Sequence, residues 1–362
     1  MRKHYIDNLR WLTILLLIPY HAAQAWNTWG EPNYIYFESN KLISSIIVFF
    51  SPYFMPLLFL LAGISTSYAL KKRTVKQYIS ERVRRLLVPF IFGTLLFMPV
   101  MTYLADKFNC GYSKGFFSHY IIFFTKFTDL IGADGGFSVG QFWFILYLFI
   151  ISVVSALIIS LQKKVVPEYK KDIPIWFICF LGLPLPLLSE LLSIGGKSLV
   201  EYTYIFLVGY YVFSDDSVIR KEERYKWLFM LVGITSALLN VYLFIGSDTQ
   251  YSILNTVARY IVEWFMPIAL IGLGKAYLNF ASRLSVYMSQ RSFAFYILHF
   301  IWVVIFQYYM ADIFADNTFL LYIIPIISVY GATFLCCEIC IRIPFICFLM
   351  GIKNNKHTKK DK

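Results

Sequence analysis

Long apolar windows recur along this chain of 362 residues and constrain its fold more than any other feature. A helix that crosses a bilayer needs about 20 apolar residues, because its backbone polar groups must bond within the segment. About ten such windows occur, and they predict an all-α, polytopic bundle of transmembrane helices. The windows run near 11–28, 42–70, 86–104, 141–161, 174–192, 200–213, 227–246, 255–273, 293–310 and 318–346.

The distribution of positive charge predicts how the chain is oriented. A net charge of +12 would suit a nucleic-acid-binding protein, but most Lys and Arg residues lie in alternate short connections between the windows. This is the positive-inside pattern of a protein in the cytoplasmic membrane, so no nucleic-acid partner is expected. Both termini are then cytoplasmic. We expect residues 1–352 to form one transmembrane domain and residues 353–362 a basic cytoplasmic tail.

The longest connection, 105–140, is predicted on the outer side. Its apolar middle, 116–124, is too short to span a bilayer, so an interfacial or re-entrant segment is expected. The connection either covers a substrate site or lies on the lipid headgroups. His119 lies within it, where it could be exposed, and we assign it no role.

Arg10 and His21 are polar residues within the first apolar window. They are eleven positions apart, so both side chains project from one helix face, about 16 Å apart. Ionisable groups inside a bilayer are costly and usually mark a pathway or a reaction site. Since histidine titrates near neutral pH, His21 is a candidate to take and return a substrate proton.

Other ionisable residues are predicted at similar depths. His299 and Glu263 lie about two turns into their helices, while Arg82 and Arg85 stand at the cytoplasmic mouth of the third. If these helices are neighbours, the polar groups form a ladder from the cytosol to the midplane. Each residue also has a plainer interpretation. The histidines could bond a neighbouring helix, and the arginines could set topology or bind headgroups.

For the carboxylates of Glu263 and Glu338, the plainer interpretation is an ion pair with an arginine four residues away on the same helix. Glu263 lies four residues after Arg259, and Glu338 lies four residues before Arg342. The six cysteines have no spacing typical of a metal site, and no metal is expected.

The inner arginines and the midplane histidine together suit one kind of chemistry. Guanidinium groups bind phosphates through paired hydrogen bonds, and a histidine can deprotonate a hydroxyl. An anionic donor from the cytosol and an acceptor from the other side would fit this arrangement. Coenzyme A thioesters are donors of this kind.

Four segments resemble the signatures of the acyltransferase 3 family of membrane O-acyltransferases. Arg10 to His21 is similar to the family's Arg-x10-His signature, and 60–90 is similar to its second, with Arg82-x-x-Arg85 before a proline. Trp143-Phe-Ile-Leu and Tyr296-Ile-Leu-His resemble two later segments. The likeness covers nearly the whole chain and is closest to the branch that modifies glucans. The chain departs from that pattern at Gln141, Ala62 and Phe300.

The resemblance implies an integral membrane O-acyltransferase. It would move an acyl group, first of all acetyl, from cytoplasmic acyl-CoA to a hydroxyl of a glycan or lipid-linked sugar. His21 would be the general base or acyl carrier, Arg10 would stabilise the oxyanion, and Glu263 is the candidate acidic partner. The predicted donor-binding residues are Arg82, Arg85, Arg84, Lys72 and His299.

Three questions stay open at this point. A proton-coupled transporter or exporter would also use intramembrane His, Arg and Glu as a relay. A degenerate family member acting as a sensor is a further alternative. The acyl group, the acceptor and whether the protein is a homo-oligomer are not fixed by the sequence.

Overall fold

The architecture is helical throughout the part of the chain that the structure describes. The structure, a computed structural model, describes residues 3–127, 130–133, 135–162, 173–247 and 252–352. The predicted basic tail, 353–362, lies outside these residues. The α-helices are α1 (His4–Ala23), α2 (Lys41–Leu70), α3 (Val75–Arg82), α4 (Val88–Leu96), α5 (Met98–Cys110), α6 (Phe116–Thr125), α7 (Trp143–Gln162), α8 (Ile175–Phe180), α9 (Leu185–Leu188), α10 (Leu199–Tyr211), α11 (Asp216–Val241), α12 (Ile253–Tyr277), α13 (Arg283–Met310), α14 (Thr318–Arg342) and α15 (Pro344–Leu349).

Shorter elements join these helices. One antiparallel hairpin pairs β1 (Ser193–Ile194) with β2 (Lys197–Ser198), with Ser193 opposite Ser198. Two 3₁₀ turns (Gln24–Trp26 and Gly140–Phe142) and two π-helical turns (Val83–Leu87 and Tyr242–Gly246) complete the described elements.

Seven helical segments of the described residues are long and apolar enough to cross a membrane. They are Lys41–Leu70, Val75–Cys110, Gly140–Gln162, Asp216–Gly246, Ile253–Tyr277, Arg283–Met310 and Thr318–Arg342. The prediction of a helical membrane protein is therefore confirmed. The larger count of about ten spans, and the side on which the termini lie, stay predictions.

The difference in count concerns three of the predicted windows. Helix α1 has 20 residues, but its first half carries Asp7 and Arg10, which make it less apolar than the other spans. The window 174–192 is divided between the short helices α8 and α9, and α10 has only 13 residues. Length and composition alone do not make these segments membrane spans.

The chain divides into two compact units, each made from separate stretches of sequence. The first unit comprises residues 1–13, 45–82 and 147–285, and the second comprises 14–44, 83–146 and 286–362.

In the first unit, α2 and α10 pack with their backbones in close contact. A Cβ added at Gly63 would lie 2.0 Å from the Phe206 carbonyl oxygen, and one added at Gly209 would lie 2.4 Å from the Leu60 carbonyl oxygen. Glycine is required on both helices, because any side chain would force them apart. Small residues serve the same purpose at many interfaces between membrane helices.

In the second unit, the outer connection is organised around a buried histidine. His119 on α6 is fully buried, and its Nε2 lies 3.0 Å from Asp106 Oδ2 on α5. The rings of Tyr103 and Tyr112 pack edge-on against it. His119 is therefore not exposed, although its place in the outer connection allowed exposure. A paired, enclosed imidazole holds α6 against α5, while the opposite face of α6 leaves Phe117 exposed.

Candidate active site

The backbone around His21 is held by hydrogen bonds in the second unit that replace one missing from α1. Pro19 has no N–H, so the Leu15 carbonyl loses its helical donor. The Tyr330 hydroxyl on α14 donates to that carbonyl at 2.8 Å, and the Tyr322 hydroxyl donates to the Pro19 carbonyl at 3.1 Å. A buried carbonyl in an apolar setting needs such a donor. These contacts fix the turn that presents His21.

His21 lies among aromatic rings that define its orientation. Its ring stacks on Phe300 with the centroids 4.1 Å apart, and the His299 centroid lies 5.3 Å away. The ring of Tyr20 packs edge-on at 5.2 Å. His21 is half-buried, and its Nδ1 is buried with no hydrogen-bond partner among the described residues. The side chain is positioned by packing, so that nitrogen remains available to a ligand.

His299 has a defined pattern of protonation. It is fully buried, and its Nδ1 lies 2.8 Å from the Tyr296 carbonyl oxygen and 3.2 Å from that of Phe295. Because carbonyl oxygens only accept, Nδ1 must carry the proton. In the neutral ring, Nε2 is then the acceptor, and in the described part of the chain it has no partner. Such an acceptor can receive a proton.

Gln141 and Tyr34 each lie one contact away from the two histidines, although neither was a predicted site residue. The Tyr296 hydroxyl donates to the Gln141 backbone carbonyl, and the Tyr296 ring centroid lies 5.8 Å from that of His299. The Tyr34 ring packs edge-on against Phe300 at 5.3 Å. Tyr34 is fully buried at a φ of +73°, a conformation that is costly for a side chain of this size.

The sequence carried signals for some of these neighbours but not for all. Gln141 and Phe300 are two of the three positions at which the chain departs from the resembled family. Tyr296 belongs to the segment that ends in His299. Tyr34 lies in a connection with no motif, and only the fold reveals it.

Arg10 lies in the first unit, where a second arginine is close to it. One terminal nitrogen of Arg10 lies 3.4 Å from Asp7 Oδ1, and the other donates to Ser65 Oγ at 3.0 Å. Arg82 is near enough for its charge to act on Arg10. Its guanidinium lies 4.6 Å from the centroid of the Tyr78 ring, and its Nε has no hydrogen-bond partner among the described residues. Two neighbouring cations favour an anionic ligand.

The other predicted donor-binding residues are placed differently. A π-helical turn covers Val83–Leu87, so the regular helical spacing that aligns Arg82 with Arg85 does not hold there. In the second unit, Arg84 is exposed over the Phe348 ring, and the backbone of Arg85 packs against Gly351. Lys72, in the first unit, is exposed in the turn after α2. That all of them bind one donor stays a prediction.

Glu263 belongs to a charged cluster in the first unit. Its carboxyl group shares a hydrogen bond with that of Glu201, and the charges of Arg259 and Lys197 act on both. Glu201 and Glu263 are almost fully buried, whereas Arg259 is exposed. Burial, followed by the Arg259 charge, lowers the pKa of Lys197 on the adjacent hairpin. The plain expectation of an Arg259–Glu263 pair describes only part of this cluster.

The arrangement in the second unit suits proton transfer at a buried reaction centre. The imidazoles of His21 and His299 lie together in a largely buried setting, and His299 Nε2 is an acceptor with no partner among the described residues. The buried side-chain amide of Gln141 also has no partner there, and its backbone is linked to His299 through Tyr296. Buried polar atoms are normally paired, so several unpaired ones at one place indicate a bound ligand or substrate. The fold and this site define a helical membrane protein with unpaired buried polar groups at which a substrate could bind.

A match to a protein family identifies the reaction class of this membrane protein. Residues 3–342 match the model of the acyltransferase 3 family, described as an acyltransferase domain. The chain belongs to this family and is a multi-pass integral membrane acyltransferase. Comparison with curated proteins and with solved structures gives no match. The predicted likeness to the glucan-modifying branch is therefore not established and stays a prediction.

Proposed function

We propose that the protein moves an acyl group from acyl-CoA to a hydroxyl of a glycan or lipid-linked sugar. The proposed acyl group is acetyl, and acyl-CoA would bind on the cytoplasmic side of the cytoplasmic membrane. The observation that carries the proposal is the contact between His21 and His299, whose free nitrogens lie in a buried site. Family membership supplies acyl transfer as the reaction. The donor, the acyl group and the acceptor are the proposed parts.

The reaction needs one proton carrier. His21 accepts the proton of the acceptor hydroxyl as its oxygen attacks the thioester carbonyl. A C–O bond forms, the C–S bond breaks, and the proton passes from His21 to the thiolate, leaving an ester and a free thiol. In a second version, His21 first carries the acyl group and the hydroxyl then removes it. His299, with its fixed acceptor nitrogen, supports either version by holding a proton beside His21.

The cationic residues have proposed roles at the donor and at the oxyanion. Arg82 and Arg85 would bind the phosphates of acyl-CoA, with Arg84 and Lys72 assisting. Arg10 would stabilise the negative charge that develops on the thioester oxygen. Glu263 is proposed as the acidic partner, and it lies close to a second buried carboxyl group, that of Glu201.

The buried carboxyl pair is also the observation that favours the second candidate function. A proton-coupled transporter would use Glu201 and Glu263 as a protonation site. Such a protein would move a solute with a proton and form no covalent product. Acyl transfer remains the main proposal, because family membership predicts a covalent product.

The test uses purified protein in liposomes with radiolabelled acetyl-CoA and a glycan acceptor fraction. We expect labelled ester with the wild type and none with His21→Ala. His4→Ala, a histidine substitution on the same helix, is the matched control and should retain transfer. Equal labelling by the wild type and His21→Ala would remove His21 from the mechanism. Proton-linked solute flux without labelled product would favour the transporter.

A further inference from the structure

Gln141 is a buried amide that the protein leaves without hydrogen bonds. Its side chain is 5% exposed, and neither its amide nitrogen nor its amide oxygen has a partner among the described residues. A primary amide offers two N–H donors and one acceptor oxygen. Leaving such a group unpaired lowers the stability of the fold. Packing alone therefore does not explain why this amide is buried.

The buried side-chain amide of Gln307, also in the second unit, does have a hydrogen-bond partner. Gln307 is 2% exposed, and its Nε2 donates to the Ala22 carbonyl at 2.8 Å. Gln141 is buried to a similar degree but makes no such bond. The contrast points to a ligand that would complete the hydrogen bonding of Gln141.

Contacts from two directions connect Gln141 to the reacting histidine. On one side, Tyr296 joins its backbone carbonyl to His299, which lies against His21. On the other side, the Tyr34 ring packs against Phe300, which stacks on His21. Tyr34 also lies against Gly140, the residue before Gln141, so both chains of contacts lead from His21 to the turn that carries Gln141.

The backbone at Gln141 is built for close approach. It lies in a 3₁₀ turn, Gly140–Phe142, that precedes α7. Gly140 has a φ of +45°, and a Cβ there would lie 2.5 Å from the Tyr34 hydroxyl oxygen. Only glycine fits at this position, so the turn that carries Gln141 is held against Tyr34.

We propose that the Gln141 side-chain amide binds the carbonyl oxygen of the acyl group and stabilises the oxyanion formed during transfer. This inference rests on the proposed function and adds a catalytic residue to it, because the amide would contact the reacting carbonyl. As the acceptor oxygen adds to the carbonyl carbon, the C=O electron pair moves onto the oxygen, which accepts an N–H hydrogen bond from Gln141. When the C–S bond breaks, the carbonyl re-forms and His21 returns the proton to the thiolate. Side-chain amides serve this purpose in other acyl-transfer sites.

The test compares Gln141→Met with Gln307→Met in the liposome assay. Methionine keeps the length of the side chain but has no N–H group. For Gln141→Met we expect kcat to fall about 100-fold with little change in KM, the size of effect seen when one oxyanion donor is removed. Its melting temperature should stay equal or rise, because an unpaired polar group has been removed. Gln307→Met should instead melt lower, since it leaves the Ala22 carbonyl unpaired.

Several outcomes separate this inference from the proposed function. A kcat of Gln141→Met within twofold of the wild type would overturn the oxyanion role while leaving acyl transfer intact. A fall in activity that follows a fall in melting temperature would assign Gln141 to structure and also overturn it. If Gln141→Met does not fold, Gln141→Leu removes the amide with a smaller side chain and should show the same fall in kcat; wild-type kcat in this variant would contradict the role. No labelled ester from the wild type would overturn the proposed function, and the inference with it.

Discussion

The Tyr330 hydroxyl donates at 2.8 Å to the carbonyl of Leu15, the group that Pro19 leaves without a helical donor. This bond joins α14 to α1 two turns before His21. It shows how a proline inside α1 is tolerated near His21, since a hydroxyl on a neighbouring helix replaces the missing N–H donor.

Removing that donor should destabilise the protein in a way that a second substitution reverses. Tyr330→Phe leaves the Leu15 carbonyl unpaired, and we expect about 1 kcal/mol of lost stability. Pro19→Ala restores the backbone N–H, so the double variant Pro19→Ala/Tyr330→Phe should recover most of the loss. Thermal unfolding in detergent measures all three. Additive losses in the double variant would show that the tyrosine does not serve this carbonyl.

His299 should matter for the rate of transfer more than for folding. His299→Phe keeps an aromatic ring but removes Nε2, the acceptor beside His21. We expect kcat to fall about 100-fold, within the range attributed to general acid–base catalysis. The melting temperature should fall little, because Nε2 has no partner among the described residues and the two carbonyls that Nδ1 contacts lie on the same helix, where backbone N–H groups also bond them. Unchanged kcat in a correctly folded variant would limit His299 to packing.

Arg82 should contribute to the binding of donor phosphates. Arg82→Gln is expected to raise the KM for acetyl-CoA about tenfold, the value of one hydrogen bond to a charged group. The KM for acetylpantetheine, which lacks phosphates, should hardly change. Arg73→Gln is the matched control, since Arg73 is paired with Glu81 at 2.8 Å. An equal rise for both substrates would argue against phosphate binding by Arg82.

The pair between His119 and Asp106 should hold α6 in place. Asp106→Ala leaves the buried His119 Nε2 unpaired, at a cost of about 1–3 kcal/mol. We expect faster hydrogen exchange of the α6 amides, and the double variant Asp106→Ala/His119→Phe should lose less than the two single losses summed. Unaltered α6 protection in Asp106→Ala would show that another contact anchors this helix.

The sequence predicted the structure best where the pattern lay within a single helix. The window 42–70 corresponds to α2, Lys41–Leu70, because a continuous apolar stretch has no stable alternative to a helix in a bilayer. The count of spans was harder to predict, since the short helix α10 and the divided segment α8–α9 are apolar but shorter than the seven long spans.

Pairing between helices was the least predictable feature. Glu338 was expected to pair with Arg342 on its own helix, but its Oε1 accepts hydrogen bonds from Arg291 Nε at 2.5 Å and the Tyr287 hydroxyl at 2.6 Å. The direct ion pair of Glu338 is therefore with Arg291 on a neighbouring helix, and Arg342 acts on it only through its charge. Glu263 likewise gains Glu201 and Lys197, which no spacing rule along the sequence would associate with it.

The sequence by itself determined that this chain spans a membrane, belongs among helical acyltransferases and carries a histidine in the apolar part of α1. These properties follow from hydropathy and from motifs within single helices. Only the tertiary structure decided that His299 lies beside His21, that Phe300 orients it and that Tyr34 and Gln141 lie around the pair. Those relations depend on which helices pack together, and packing is set by side-chain shape and buried hydrogen bonds between residues far apart in sequence.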